Sequence, residues 1–384
     1  MQIIRSLTSS LALAATISAS ALSVNAQPCG EETKSLDQLY EDAIKEGGNL
    51  VVYHGGDTPT QQDFTANAFR QAFPKINLTM VVDYSKYHDV RADNQLETNT
   101  LVADVIALQT LQDYPRWKKQ NKLLNYKPAG FSKIYQPFVD PEGAWIAHGL
   151  FSFSYFYDEA QLKQLNLPAP ETAKNLADPI YANHIASTYP HDDDAALFVY
   201  SQYIEKYGWD LVAKMAKQNI RFKRGSNTAG EAVADKLKPI GVAAVAPFGV
   251  ANITTVNGAD SETPYLAWGQ RMAIFKKARH PAAAKLFLNW VISYTTQSTV
   301  LAGMSTRTDI PPVVGKEHPW EIPQAGSLKF QEWMEDRAEI ERLKMVMALY
   351  FGEVQGEPSP GVLGRHPGLE GADQMDRLMC TLEE

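Results

Sequence analysis

Along residues 36–108 the apolar positions alternate between two spacings. Residues 36–46 repeat them every three to four positions and stop at Gly47-Gly48, which predicts a helix. Asn49-Leu50-Val51-Val52-Tyr53 follows as a short apolar run, the pattern of a buried strand. The pair recurs as a helix over 61–73, stopped by Pro74, with a strand over 78–82, and again as a helix over 90–98 with a strand over 103–108. Strand, loop and helix in this order predict a parallel sheet covered by helices, with ligands held at loops beyond the carboxyl ends of the strands. Residues 145–148 and 150–157 alternate strongly instead and predict strands of a different setting. A strand near 184–187, helices over 195–207, 209–218 and 229–238, and a strand over 242–246 complete this middle part. Residues 328–350 are helical in character, but Phe330, Trp333, Met334, Ile340, Met345, Val346 and Leu349 do not form the narrow stripe of a coiled coil. Residues 352–371 are rich in Gly and Pro and predict an ordered loop or extended arm.

A further helix reads Ala284-Lys285-Leu286-Phe287-Leu288-Asn289-Trp290-Val291-Ile292-Ser293, followed by Gln297 and by Ser305-Thr306-Arg307-Thr308-Asp309. This stretch resembles the C-terminal part of the extracellular solute-binding proteins of ABC transporters, where a helix of the type AkxFxxWxxSxxxQ leads into an xxRxD loop. The resemblance covers residues 36–312 and is closest to the ferric, thiamine and phosphonate-like branch. It implies an α/β fold of the two-lobe type II periplasmic-binding-protein kind. Each lobe is a mostly parallel sheet flanked by helices, and a helical C-terminal extension is expected to pack against lobe one. The implied division is lobe one over 27–148, lobe two over 149–254, a return to lobe one over 255–320, and the extension over 321–384. The implied activity is capture of a small molecule or ion by hinge closure rather than catalysis. The chain would act without a cofactor, as a monomer, beside an ABC permease if the source is bacterial.

Composition narrows the setting. Met1-Gln2-Ile3-Ile4-Arg5, an apolar run from Leu11 to Leu22 and Val24-Asn25-Ala26 have the three-part form of a secretory signal peptide over 1–26. The run is too short to span a bilayer. The expected product is therefore secreted, or periplasmic in a Gram-negative cell. Net charge is −8 with mixed signs, which excludes a basic nucleic-acid face. Cys29 and Cys380 are the two cysteines. Export permits a disulfide between them, and two free thiols are the alternative.

Candidate ligand residues follow from strand ends and helix starts. His54 and Asp57 lie in the Gly-containing loop after the first strand, and Thr110 follows the third. Ser154 lies in the alternating segment. Tyr189-Pro190-His191-Asp192-Asp193-Asp194 precedes a helix; Tyr189, Asp192 and Asp193 are candidates for ligand contact, and the acidic run reads equally as a cap on free helix amides or as a cation site. Arg307 can clamp a carboxylate or phosphate, or pair with Asp309. Phe248 ends the strand near 242–246 and is expected as an apolar floor. Iron-binding members of the family carry adjacent tyrosines around this point. Pro247 and Phe248 stand there instead, and no Tyr-Tyr pair occurs in the chain, so ferric binding in the family manner lacks its ligands. No Gly-x-Ser-x-Gly elbow, His-Glu-x-x-His or P-loop occurs. Two other readings are an extracellular interaction protein that reuses the fold and a metal-dependent secreted enzyme built on the acidic loop. Asn77-Leu78-Thr79 and Asn252-Ile253-Thr254 are glycosylation motifs consistent with the first of these.

Overall fold

The computed structural model describes residues 30–313 and 316–356. The expected signal peptide over 1–26 and the expected Cys29–Cys380 disulfide lie outside the described residues. The chain opens with helix α1 (Leu36–Glu46), strand β1 (Asn49–Gly55), α2 (Asp63–Ala72), β2 (Asn77–Asp83), α3 (Ser85–Thr98), β3 (Val105–Leu108) and α4 (Asp113–Lys119). Helix α1 starts at a capping box: the Gln38 amide donates to Ser35 Oγ at 3.2 Å and the Ser35 amide donates to Gln38 Oε1 at 2.9 Å. It ends at Gly47, whose φ of 125° suits glycine alone. Strands β1, β2 and β3 are parallel, with β1 between the other two. Their apolar runs are buried because helices cover both faces.

The long strand β4 (Ile146–Asp158) leads through α5 (Glu159–Gln164), β5 (Ile185–Thr188), α6 (Asp194–Tyr207), α7 (Trp209–Met215), β6 (Arg221–Lys223), α8 (Thr228–Ala234) and β7 (Ile240–Ala244). Then follow β8 (Ile253–Thr255), β9 (Leu266–Ile274), α9 (Pro281–Val291), α10 (Tyr294–Thr299), α11 (Ser327–Trp333) and α12 (Arg337–Phe351). The strands join in the order β2-β1-β3-β9-β4-β7-β5-β6, with β8 on β4. Within each lobe the helix-connected strands run parallel. At the joint β9 and β4 run antiparallel to their neighbours, so the sheet as a whole is mixed. Residues 145–157, predicted as separate strands, form one strand whose register shifts between Ala147 and Gly149 and between Ser154 and Tyr155. The first part of β4 pairs with β9 and the second with β7, so these two strands carry the chain between the lobes.

Two sets of cores result. In lobe one, Phe69, Phe287 and Trp290 meet edge to face at 5.1–5.2 Å among Leu50, Val52 and Leu286. In lobe two, Phe198, Tyr200, Tyr203, Ile185 and Val242 gather against the β4–β9 joint. The C-terminal extension packs on lobe two, which corrects the expectation of lobe one. Phe330, Met334, Ile340 and Met347 belong to the lobe-two core. The Phe330 ring lies 5.1 Å from that of Phe198 and 5.9 Å from that of Trp268. Residues 327–351 form two α-helices rather than one, with the turn at Met334–Asp336 capped by Asp336, whose Oδ1 accepts from the Glu339 amide at 3.0 Å. The break lets α11 and α12 each present an apolar side to lobe two, which one straight helix with this scattered pattern could not do.

Candidate functional site: a cleft lined by carboxylates

The loops at the carboxyl ends of the parallel strands face one another across the joint. Asp57 follows β1, Tyr84 and Lys86 follow β2, and Gln109 and Thr110 follow β3. From lobe two come the acidic run after β5 and Gly225 after β6. Arg337 and Lys344 on α12 complete the wall. Together they enclose a cavity of about 80 Å³, room for a handful of atoms in this arrangement.

Two contacts span the gap. Lys86 Nζ donates to the carbonyl and to Oδ1 of Asp192, both at 2.6 Å. Asp57 Oδ2 accepts from Ser226 Oγ and from the Asn227 amide, both at 2.9 Å. Gly225 permits this approach. Its φ is +94°, and a Cβ there would stand 3.1 Å from the Asp57 carboxyl carbon.

The three aspartates after β5 have three different settings. Asp192 is paired with Lys86 and, at 3.4 Å, with Arg224. Asp193 Oδ1 caps α6 by accepting from the Ala195 and Ala196 amides at 2.8 and 2.9 Å. Asp194 pairs with Arg337 and Lys344, each at 2.8 Å. Burial pushes the Asp194 carboxyl up, but these two cations outweigh it and hold it below the usual range. Asp193 forms no such ion pair. Burial, opposed by the Ala196 amide and more weakly by Lys86 and reinforced by Asp57 and Asp194, pushes it up to about 7. Burial likewise raises Asp57. Asp89 on α3 is pushed up to about 8 by burial and then by the charge of Asp113.

Of the residues singled out from sequence, Asp57, Thr110, Asp192 and Asp193 meet in this cleft. The other five lie elsewhere. His54 is buried near the end of β1, where its Nδ1 lies 2.7 Å from the Gly55 carbonyl and its ring meets His148 edge-on at 5.2 Å; burial lowers it to about 4. Ser154 Oγ donates to the Val256 and Tyr155 carbonyls inside the β4 register shift. Tyr189 stacks on Phe222 at 5.1 Å. Phe248, in the loop after β7, is fully exposed and does not line the cavity, so it is not a cleft floor. Arg307 is bonded in lobe one: it donates to both Asp309 oxygens at 2.8 and 2.7 Å and to the Ile292 carbonyl at 2.9 Å.

Sequence reasoning passed over Tyr84, Lys86, Asp89, Arg337 and Lys344. Tyr84 and Lys86 had a signal, since they follow the carboxyl end of the second strand. Arg337, Glu341 and Lys344 had another: spaced by four and three, they share one helix face, and both cations contact Glu341 at 3.0 and 2.9 Å. Among the described residues no group of three or more His, Cys, Asp or Glu is placed to hold a metal ion, and no helix is long and apolar enough to cross a membrane.

A family model described as bacterial extracellular solute-binding protein matches residues 94–323. The chain belongs to that family. Its members' task, binding a solute for an ABC transporter, fits a cleft between two α/β lobes. Solved structures similar to it include the periplasmic binding protein AfuA from Actinobacillus pleuropneumoniae with fructose-6-phosphate bound, at 18% identity and a TM-score of 0.63 over 79% of this solute-binding protein and 98% of that chain. Iron-bound HitA from Pseudomonas aeruginosa matches at 15% identity and a TM-score of 0.60, covering 78% and 99% of the two chains. The substrate-binding protein of an ABC transporter from Agrobacterium tumefaciens matches at 12% and 0.66, covering 79% and 94%. A search of curated proteins finds no match. At these identities the structural likeness shows the fold, the two-lobe α/β architecture, and leaves the ligand to this chain's own residues.

Proposed function

We propose that this solute-binding protein captures one small ligand between its lobes, with Asp57, Thr110, Asp192 and Asp193 facing it, and works outside the cytoplasm beside an ABC permease rather than as an enzyme. The observation that carries this reading is the pair of contacts across the gap. Lys86 to Asp192 and Asp57 to Ser226 and Asn227 join loops of opposite lobes directly at the enclosed cavity. A hinge at the two strands shared by the lobes would open and close that gap. Closure over a solute excludes water and strengthens each polar contact to it. The lobe divisions proposed for this motion run 27–148 with 255–320, and 149–254, the extension riding on the latter.

The test begins with mass spectrometry of the small molecules released from gently purified protein. Asp192→Ala and Asp193→Ala should each weaken binding of the released solute at least about tenfold, and small-angle scattering should show a more open particle when the solute is removed. Unchanged affinity in both variants would place the ligand elsewhere and refute the cleft assignment.

A further inference from the structure

We propose that the cleft takes a small organic cation, an ammonium or guanidinium compound; this rests on the cleft being the capture site. Five aspartates and three basic side chains line it. All three cations are already engaged: Lys86 by Asp192, and Arg337 and Lys344 by Asp194 and Glu341. Among the described residues no lysine or arginine comes within ion-pair distance of Asp57, Asp89 or Asp193. Carboxyl groups outnumber cations in the wall, five to three.

The donors beside Asp193 and Asp57 are also taken. The free amides at the start of α6 bond Asp193, and the Ser226 hydroxyl and Asn227 amide bond Asp57. A phosphate or carboxylate reaching for those donors would have to displace two of the protein's own carboxylates and then lie beside them. The wall also offers an acceptor: the buried Oε1 of Gln112 has no hydrogen-bond partner, while Thr110 beside it, 5% exposed, turns its hydroxyl toward the Asp113 carboxylate. The Tyr84 ring of this wall lies 5.5 Å from Lys86 Nζ, a distance at which an aromatic face attracts a cation.

The protonation of the wall agrees with this geometry. Asp89 faces Asp113 on α4 and Asp93 on its own helix; Asp193 faces Asp57, Asp194 and Lys86; Asp57 faces Glu231 on α8. Burial among these mostly negative neighbours raises all three carboxyls, Asp89 to about 8 and Asp193 to about 7. An entering cation favours their ionised forms and drives protons off. Its affinity therefore rises with pH through this range, whereas an anion would bind with proton uptake and lose affinity.

The experiment is titration calorimetry of the full mature chain at pH 7 in two buffers of different ionisation enthalpy. The probes are ethylammonium, 1,4-diaminobutane, guanidinium and inorganic phosphate, and the solute released from the native protein is identified alongside. The expected result is a cationic released solute and saturable binding of at least one amine with net proton release. That affinity should rise several-fold from pH 6 to pH 8. Asp89→Asn and Asp193→Asn should each lower it about tenfold or more and diminish the proton release; Asn also serves as a helix cap, so the second variant keeps the start of α6 folded. A released anion, or phosphate binding with proton uptake, overturns the cationic class and leaves solute capture standing. No released solute and no binding by any probe overturns capture itself, and the cationic class with it.

Discussion

Two polar loops of this protein, 189–194 and 305–309, look alike in sequence: each carries charged residues next to a helix and each was a candidate for ligand contact. In the fold they do opposite work. Arg307 spends its guanidinium within lobe one, on Asp309 and the Ile292 carbonyl. Gln297, fully buried, ties the same loop to β4 by donating to the His148 carbonyl and accepting from the Thr306 amide. The motif that carries the family resemblance is thus scaffolding. The acidic loop instead reaches outward, to Lys86 on the other lobe and to Arg337 and Lys344 on α12. A charged loop tells its role only when its partners are counted, and those partners lie far away in sequence.

Three experiments bear on the contrast, the largest effect first. Phe330→Ala removes the buried ring that anchors α11 among Phe198 and Trp268, and should cost about 3–5 kcal/mol in chemical denaturation. Because Arg337 and Lys344 follow on the next helix, ligand affinity should fall as well. Arg307→Ala leaves a carbonyl and a half-exposed carboxylate without their cation and should cost about 2–3 kcal/mol. Affinity measured under folded conditions should stay as it was; a loss there would bring the 305–309 loop into the site after all. The third effect is one of pH. The Asp193 carboxyl is raised to about 7 in the fold against about 3.9 in an unfolded chain, so folding binds a proton between these values. The stability of Asp193→Asn relative to the parent should therefore rise from about pH 4 to about pH 7 and level off above. A flat difference across that range would mean Asp193 is ionised throughout.

Much of lobe one was legible because its strands are buried on both faces and read as unbroken apolar runs; α1 matches its predicted limits, set by Ser35 and Gly47. Asp57 and Thr110 were found by the rule that ligands sit beyond strand ends, and the same rule applied to β2 would have found Tyr84 and Lys86. Phe248 misled because an apolar residue after a strand signals burial only if the loop folds back, and a local pattern does not carry that information. The docking of α11 and α12 was illegible for a related reason: Phe330, Met334 and Ile340 announce a buried side, but either lobe offers apolar surface to meet it.

The attachment of α12 to lobe two has a practical consequence for anyone dividing this polypeptide. The family-matched stretch ends at 323, before Arg337 and Lys344, and begins at 94, after Asp57, Lys86 and Asp89. A fragment trimmed to the homologous segment would retain Asp192, Asp193 and Asp194 but forfeit every basic group that lines the cavity, together with most of the opposing wall. If the proposed cleft is the capture site, the smallest piece able to hold a solute must therefore extend well past both borders of its recognisable ancestry.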